Sequence, residues 1–270
     1  MTMDKISDLV LDIAKAEILP RFKNLKPTEI SLKSAGDRVS IADTEAEKAL
    51  SKELRRLFPA AIIAGEETIA EKPALLQDII TAPQAFLIDP LDGTNNFIRG
   101  DARFALMLTQ LCWGEAVAAW IYLPINDKIA VAEKDGGTYL NGQQITITTG
   151  AFDPGQLIGA AHLNRFPDPL KKLGRCNIKK FSENRPAFCA GYDYIALLEG
   201  CKNFSLYYRT LPWDHLPGGL IFTEAGGYMR TLFHGTVYGI HDHNEGLLSA
   251  ANEADWQKIR HLVFPGCFDN

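Results

Sequence analysis

The run Asp89-Pro90-Leu91-Asp92-Gly93-Thr94 places two carboxylates three residues apart, directly after the apolar stretch Phe86-Leu87-Ile88. Two such charges ~4 Å apart repel by roughly 1 kcal/mol in water and about 4 kcal/mol at an effective dielectric near 20. Folding them into one pocket therefore calls for a cation between them. Hard divalent ions such as Mg²⁺ take oxygen ligands and usually keep a phosphate as partner. The backbone N–H groups of Gly93 and Thr94, at a turn or the start of a helix, are suited to receive that phosphate. The chemistry this implies is metal-assisted cleavage of a phosphate ester.

Other carboxylates fall at the ends of elements, where they can converge. Glu66 and Glu67 follow the strand-like run 61–64, Asp214 follows Pro212-Trp213 at the start of a helix, and Asp43 stands at a helix entrance. Taken singly, each is as well explained as a surface charge or a helix cap. Their joint occurrence around an Asp-Gly-Thr cradle is what points to a site.

The elements that must position these groups are readable from the hydrophobic pattern. Ile6, Leu9, Val10 and Ile13 recur at helical spacing and predict an amphipathic first helix. Residues 37–42 read as a short strand. The next helix carries Ala46, Leu50, Leu54 and Leu57 on its buried face, with Thr44 and Glu47 as a capping box and Pro59 as its stop. Runs at 104–112, 116–123, 128–133 and 138–147 predict an antiparallel meander, with Asn141-Gly142 as a hairpin turn. Past Asp153-Pro154-Gly155 the pattern changes. Strands are expected at 157–160, 204–208 and 247–251, and helices at 192–199 and 213–224, the second closing on Gly226-Gly227. The expected division is 1–152, an α+β half with most of the carboxylates, and 153–270, an α/β half supplying Asp214.

Composition narrows the classes. The 270 residues, 46 % hydrophobic and 23 % charged, are those of an ordinary globular chain. A net charge of −5 offers no basic surplus for nucleic acid. No apolar stretch is long enough for a membrane span, and Asp4, Lys5, Asp8 and Asp12 interrupt any signal-peptide core. Five scattered cysteines without a C-x-x-C pair argue for free thiols and a cytoplasmic location rather than disulfides or zinc.

Gly65-Glu66-Glu67, the Asp89–Phe97 segment, and Trp213-Asp214 followed by Thr223-Glu224-Ala225-Gly226-Gly227 resemble, in order and separation, the three signature motifs of the inositol monophosphatase family. Gly136–Gly142 also resembles that family's central hairpins. The resemblance implies a layered αβαβα sandwich, an α+β fold, usually dimeric, that hydrolyses small phosphate monoesters with two or three Mg²⁺ ions and is inhibited by lithium. Carried over by position, Glu66, Asp89 and the Leu91 carbonyl hold the first metal. Asp89, Asp92 and Asp214 hold the second, and Asp43 assists a weaker third. Gly93 and Thr94 bind phosphate, and Glu66 with the Thr94 hydroxyl orients the attacking water. The implied partners are a small phosphorylated metabolite and a second copy of the chain.

The substrate half of the pattern departs from the family. The Glu that contacts a polyol hydroxyl, seven residues before the Asp of Trp-Asp, is here Tyr207. The family's Gly-Ser-Ala-Ala is Phe188-Cys189-Ala190-Gly191, and small residues after Trp-Asp become His215-Leu216-Pro217. A phenol accepts hydroxyl hydrogens less well than a carboxylate but stacks on rings, so the preference for inositol phosphate is expected to be weakened or shifted. Tyr207, Cys189, Ala190 and His215 are the expected pocket residues. Sugar bisphosphates, histidinol phosphate and 3′-phosphoadenosine 5′-phosphate remain alternative substrates. A catalytically idle binding protein is the other class, although no metal carboxylate is lost. Three features carry plainer readings. His241-Asp242-His243 is a solvated loop; Phe104, Trp113 and Trp120 belong to core or dimer interface; Arg165, Lys171, Lys172, Lys179 and Lys180 form a solvated basic face.

Overall fold

The protein is described by a computed structural model covering residues 2–34 and 37–267. In chain order the elements are α1 (Thr2–Ile13), β1 (Ile30–Ser34), β2 (Asp37–Ser40), α2 (Ile41–Leu57), β3 (Ile62–Gly65), α3 (Glu66–Glu71), α4 (Leu75–Thr81), β4 (Ala85–Asp92) and α5 (Thr94–Ile98). A meander follows, β5 (Ala105–Cys112), β6 (Glu115–Leu123), β7 (Lys128–Glu133), β8 (Gly137–Leu140) and β9 (Gln143–Ile145). The remainder is β10 (Ile158–Ala161), α6 (Leu170–Asn177), β11 (Glu183–Asn184), α7 (Ala190–Leu198), β12 (Phe204–Tyr207), α8 (Pro212–Glu224), β13 (Tyr228–Thr231), β14 (Leu247–Ala250) and α9 (Glu253–Val263).

Seven strands form one sheet in the order β3-β4-β5-β6-β7-β8-β9, and five form a second in the order β11-β10-β12-β14-β13. Period-two alternation explains how they stack. In β4, Phe86 and Ile88 join Ala46, Leu50 and Val10 in a core against α1 and α2. Leu87, on the opposite face, packs with Tyr194 of α7 and Ile221 of α8. In the smaller sheet Tyr207 and Leu247 face that same helical layer, while Phe204, Leu206 and Leu248 pack with Trp256 and Ile259 of α9. The layers are therefore helix, sheet, helix, sheet, helix, the expected αβαβα sandwich. A strand buried on both faces needs apolar residues at every position, and residues 85–91 of β4 are all buried.

Two expectations are corrected. The run 37–42 is strand only to Ser40, because Ser40 is the N-cap of α2: its hydroxyl accepts from the Ala42 N–H at 3.2 Å, and Asp43 Oδ2 accepts from the Ser40 N–H at 2.8 Å. The capping box is thus Ser40/Asp43, one turn before the expected Thr44/Glu47. Glu47 is buried and caps a different helix, accepting from the N–H groups of Glu67 (2.8 Å) and Thr68 (3.0 Å) in α3. The Asn141-Gly142 turn is as expected, with both residues at positive φ (48° and 79°), the requirement of a type I′ hairpin. The 228–231 strand and the 170–177 helix had no clear periodic signal.

Candidate active site

The carboxylates converge because β3 and β4 are parallel neighbours, with Gly65 opposite Ile88. Both strands therefore end on the same edge, one delivering Glu66 and the other Asp89. A Cβ on residue 65 would lie 2.3 Å from Glu47 Oε2, so the glycine is what lets Glu47 cap α3 and hold Glu66 at the strand end. Beyond Asp89 the pairing with β5 slips by one residue before Asp92. Pro90 lies in this bulge, where a missing N–H costs no ladder bond. Leu91 N–H donates to Asp89 Oδ1 at 3.0 Å, and the Leu91 carbonyl accepts from the Thr94 hydroxyl at 3.0 Å. Gly93 makes the turn at φ +85°, and a side chain there would meet the Arg103 carbonyl at 2.9 Å.

From the other side, α8 brings Asp214 in its first turn. Oxygens of Glu66, Asp89 and Asp214 lie within 4.8 Å of one another. Asp89 is 2 % exposed; Glu66 and Asp214 are partly buried. Burial, reinforced by the charges of Glu66, Asp92 and Asp214, pushes Asp89 well above the usual carboxylate range. Asp214 is raised by burial and the charges of Asp92 and Glu66, opposed by its hydrogen bond with Asp89 and by Arg209. These groups repel one another in the protein by itself, and three hard oxygen donors in such a position fit a divalent ion. Lys33 supplies a positive charge there, donating to Glu66 Oε1 at 2.9 Å and to Glu67. Although burial opposes it, that carboxylate pair raises the Lys33 pKa. Glu67 itself is pushed up to about 8, chiefly by burial.

Asp43 and Asp92 stand outside this triplet, tied to its supports. Asp43 Oδ1 accepts from the Thr94 hydroxyl at 2.7 Å and Oδ2 from Ser40; burial raises its pKa to about 6. Asp92 Oδ2 accepts from the Gly191 N–H at 2.7 Å and the Cys189 thiol at 3.0 Å, which anchors α7 to the end of β4. Burial also raises Asp92 to about 6. Burial and the Asp92 charge keep the Cys189 thiol protonated, far above its usual pKa.

Glu66, Asp89, Asp92, Asp214 and the Gly93-Thr94 turn line one end of a cleft of about 450 Å³ that also receives Cys189, Ala190, Tyr207 and His215. All four expected pocket residues are thus at the cleft. His215 is 1 % exposed, not on a helix surface. Its Nδ1 pairs with the Tyr194 hydroxyl at 3.0 Å and its ring also bonds the Arg209 backbone. Burial lowers its pKa to about 3, so it stays neutral.

The partners that Tyr207 meets on the opposite wall were not anticipated. His162 stacks on Tyr207 with centroids 4.4 Å apart, and Phe188 meets His162 edge-on at 86°. Behind them Asp193, fully buried, accepts from His162 Nε2 (2.7 Å), the Tyr207 hydroxyl (3.0 Å), the Ala187 N–H (3.1 Å) and Lys202. Burial alone would raise Asp193; His162 and Lys202 hold it below its usual value. An acid inside the apolar helix 190–198 was the one available signal for this network, as Glu47 on the apolar face of α2 was for the α3 cap. Nothing local marks His162. Arg165, assigned by sequence to a solvated face, lines the cleft with Arg99 and Arg209. The aromatic residues of the meander divide: Phe104 and Trp120 are core, while Trp113 is 66 % exposed. His241 and His243 are exposed in a loop, as expected.

Comparison with known proteins matches residues 2–263 to the inositol monophosphatase family. An inositol-1-monophosphatase of Rhizobium meliloti is 32 % identical over 219 residues, covering 77 % of each chain. A fructose-1,6-bisphosphatase/inositol-1-monophosphatase of Aquifex aeolicus is 28 % identical over 232 residues, 82 % of this chain and 81 % of that one. Among solved structures, the extragenic suppressor protein suhB of Bartonella henselae superposes with a TM-score of 0.84 at 24 % identity, over 98 % of this chain and 99 % of that one.

Proposed function

The chain belongs to the inositol monophosphatase family, and we propose that it hydrolyses a small phosphate monoester with Mg²⁺ by direct attack of water. The observation that carries this reading is the convergence of Glu66, Asp89 and Asp214 within 4.8 Å, beside the Gly93-Thr94 turn in a cleft of about 450 Å³. Glu66, Asp89 and the Leu91 carbonyl would hold one ion; Asp89, Asp92 and Asp214 would hold a second; Asp43 is assigned to a weaker third. When bound, magnesium supplies Lewis-acid stabilisation of phosphate charge and lowers the pKa of water.

The chain's own groups do the positioning. The single hydroxyl hydrogen of Thr94 is shared between Asp43 Oδ1 and the Leu91 carbonyl. Its oxygen lone pairs are thereby left to accept from a water that Glu66 also orients. The N–H groups of Gly93 and Thr94 are assigned to the phosphate. A covalent cysteine intermediate is disfavoured, since the Cys189 thiol stays protonated and donates to Asp92.

The leaving group is expected to differ from inositol, because Tyr207 spends its hydroxyl on Asp193. Sugar bisphosphates, histidinol phosphate and 3′-phosphoadenosine 5′-phosphate are the alternatives on the same core. Phosphate release from a panel of such esters by purified protein, with Mg²⁺ and with chelator, tests the reading; lithium inhibition is expected. Release that is absent, or indifferent to Mg²⁺, would favour a binding protein. Selective turnover of inositol 1-phosphate would refute the shifted preference.

We further assign a homodimer face to the apolar groove lined by Ile80, Trp113, Leu220 and Val237, where Val237 is 71 % exposed. Sedimentation velocity should show a dimer that Trp113→Asp converts to monomer. No helix among the described residues is long and apolar enough to cross a membrane.

A further inference from the structure

We infer that the preferred ester carries a flat, aromatic or heteroaromatic ring on its leaving alcohol, seated in the corner formed by His162 and Phe188. This inference rests on the phosphatase reading above and adds the class of leaving group.

A site built for a polyol presents unpaired acceptors and donors, because each hydroxyl must recover the hydrogen bonds it gave up to water. This wall presents few. The Tyr207 hydroxyl and His162 Nε2 both point to Asp193, whose oxygens already serve four donors. His215 is bonded at Tyr194 and at the Arg209 backbone. Apart from Asn164, Arg165 and Arg209, which also line the cleft, what this corner offers is the exposed ring of Phe188 flanked by His162.

Phe188 is the sharpest sign. Its side chain is 54 % exposed at the cleft, while its backbone holds φ +57°, a conformation rare for a bulky residue and typical of functional positions. That backbone is pinned from both sides. Asn96 Nδ2 donates to the carbonyls of Ala187 (2.9 Å) and Phe188 (3.3 Å), and Cys189 is bonded to Asp92. The backbone that carries the ring is thus fixed, and the ring stands uncovered on the segment that also supports the acidic end.

The planes of His162 and Phe188 stand at 86° with centroids 5.6 Å apart. Because His162 is already stacked on Tyr207 and its side chain is 14 % exposed, Phe188 supplies the free face and His162 the flank, an edge-and-face arrangement favourable for aromatic pairs. Tyr207 stacks behind His162, and Asp193 fixes the imidazole through Nε2, so the corner does not have to reorganise to receive a ligand.

The test is steady-state kinetics of the Mg²⁺-loaded full chain on matched esters. Phenylethyl phosphate and a purine nucleoside monophosphate carry a ring; glycerol 3-phosphate, inositol 1-phosphate and fructose 1,6-bisphosphate do not. Ring esters should be preferred in kcat/KM by about tenfold or more, the worth of one stacking contact. Phe188→Leu keeps apolar bulk and removes the flat face. It should lower kcat/KM for ring esters about tenfold more than for polyol esters, chiefly through KM, and Phe188→Tyr should restore it. Equal losses on both classes, or a preference for a polyol ester or the bisphosphate, would overturn the ring subsite while leaving the phosphatase reading intact. Absence of Mg²⁺-dependent release from every ester would overturn both.

Discussion

The two ends of the cleft solve opposite electrostatic problems. At the metal end Glu66, Asp89 and Asp214 crowd together, with Lys33 at the margin, Arg209 acting on Asp214 and a hydrogen bond shared between Asp89 and Asp214. At the far wall one buried carboxylate, Asp193, is met by Lys202, His162, Tyr207 and a backbone N–H. The first is a charge excess that an external cation relieves. The second is closed on itself and has little left for a ligand except ring surface. Binding energy for phosphate and discrimination among alcohols are thus assigned to separate, differently constructed walls.

The comparison breaks first at Asp214. Asp214→Asn should lower kcat by on the order of 10³-fold, yet without metal it should melt no lower than the parent, since it removes one of the repelling charges. A calorimetric scan in chelator showing strong destabilisation would mean that the carboxylates are not in excess. The far wall should respond in the reverse sense. Lys202→Met removes the ammonium from buried Asp193, leaving it to His162, Tyr207 and a backbone N–H, and should cost about 3–5 kcal/mol of stability in chemical denaturation. Adding Asp193→Asn should recover part of that, and strict additivity of the pair would show that the network is not a unit.

Smaller effects sharpen the picture. Thr94→Ala should reduce kcat by about 10²-fold with little change in melting temperature, and Thr94→Ser should keep most activity; an inactive Ser variant would remove the hydroxyl from its assigned role. Gly65→Ala pushes a methyl into Glu47 and should destabilise by about 1–3 kcal/mol. Because Glu47 holds α3, kcat should fall as well; a stable, fully active variant would show that the close approach is dispensable.

Legibility in the sequence differed between the ends in the same way. The metal end lies on short contiguous runs at strand and helix termini, where residue types and spacing carry the information. Asp89, Asp92, Gly93 and Thr94 could therefore be named before their surroundings were known. The meander, its Asn141-Gly142 turn and the amphipathic face of α2 were equally readable, since period-two and period-3.6 patterns are local. The cap of α2 was misplaced by one turn because Ser40/Asp43 and Thr44/Glu47 both satisfy the local rule, and only packing against α3 distinguishes them.

By itself the sequence carried the motifs by which the chain resembles the family, and through that resemblance the layered architecture. It also named Glu66, Asp89 and Asp214, which the fold brings together, because each lies in a short contiguous run. Tertiary structure decided what those residues meet. His162 and Asp193 lie 31 positions apart and Asp92 and Gly191 lie 99 apart, so no local pattern could pair them. Whether a buried acid is relieved by a lysine or left for an incoming ion depends on what the fold brings within hydrogen-bond reach. That is fixed only when the two sheets close on the helices between them.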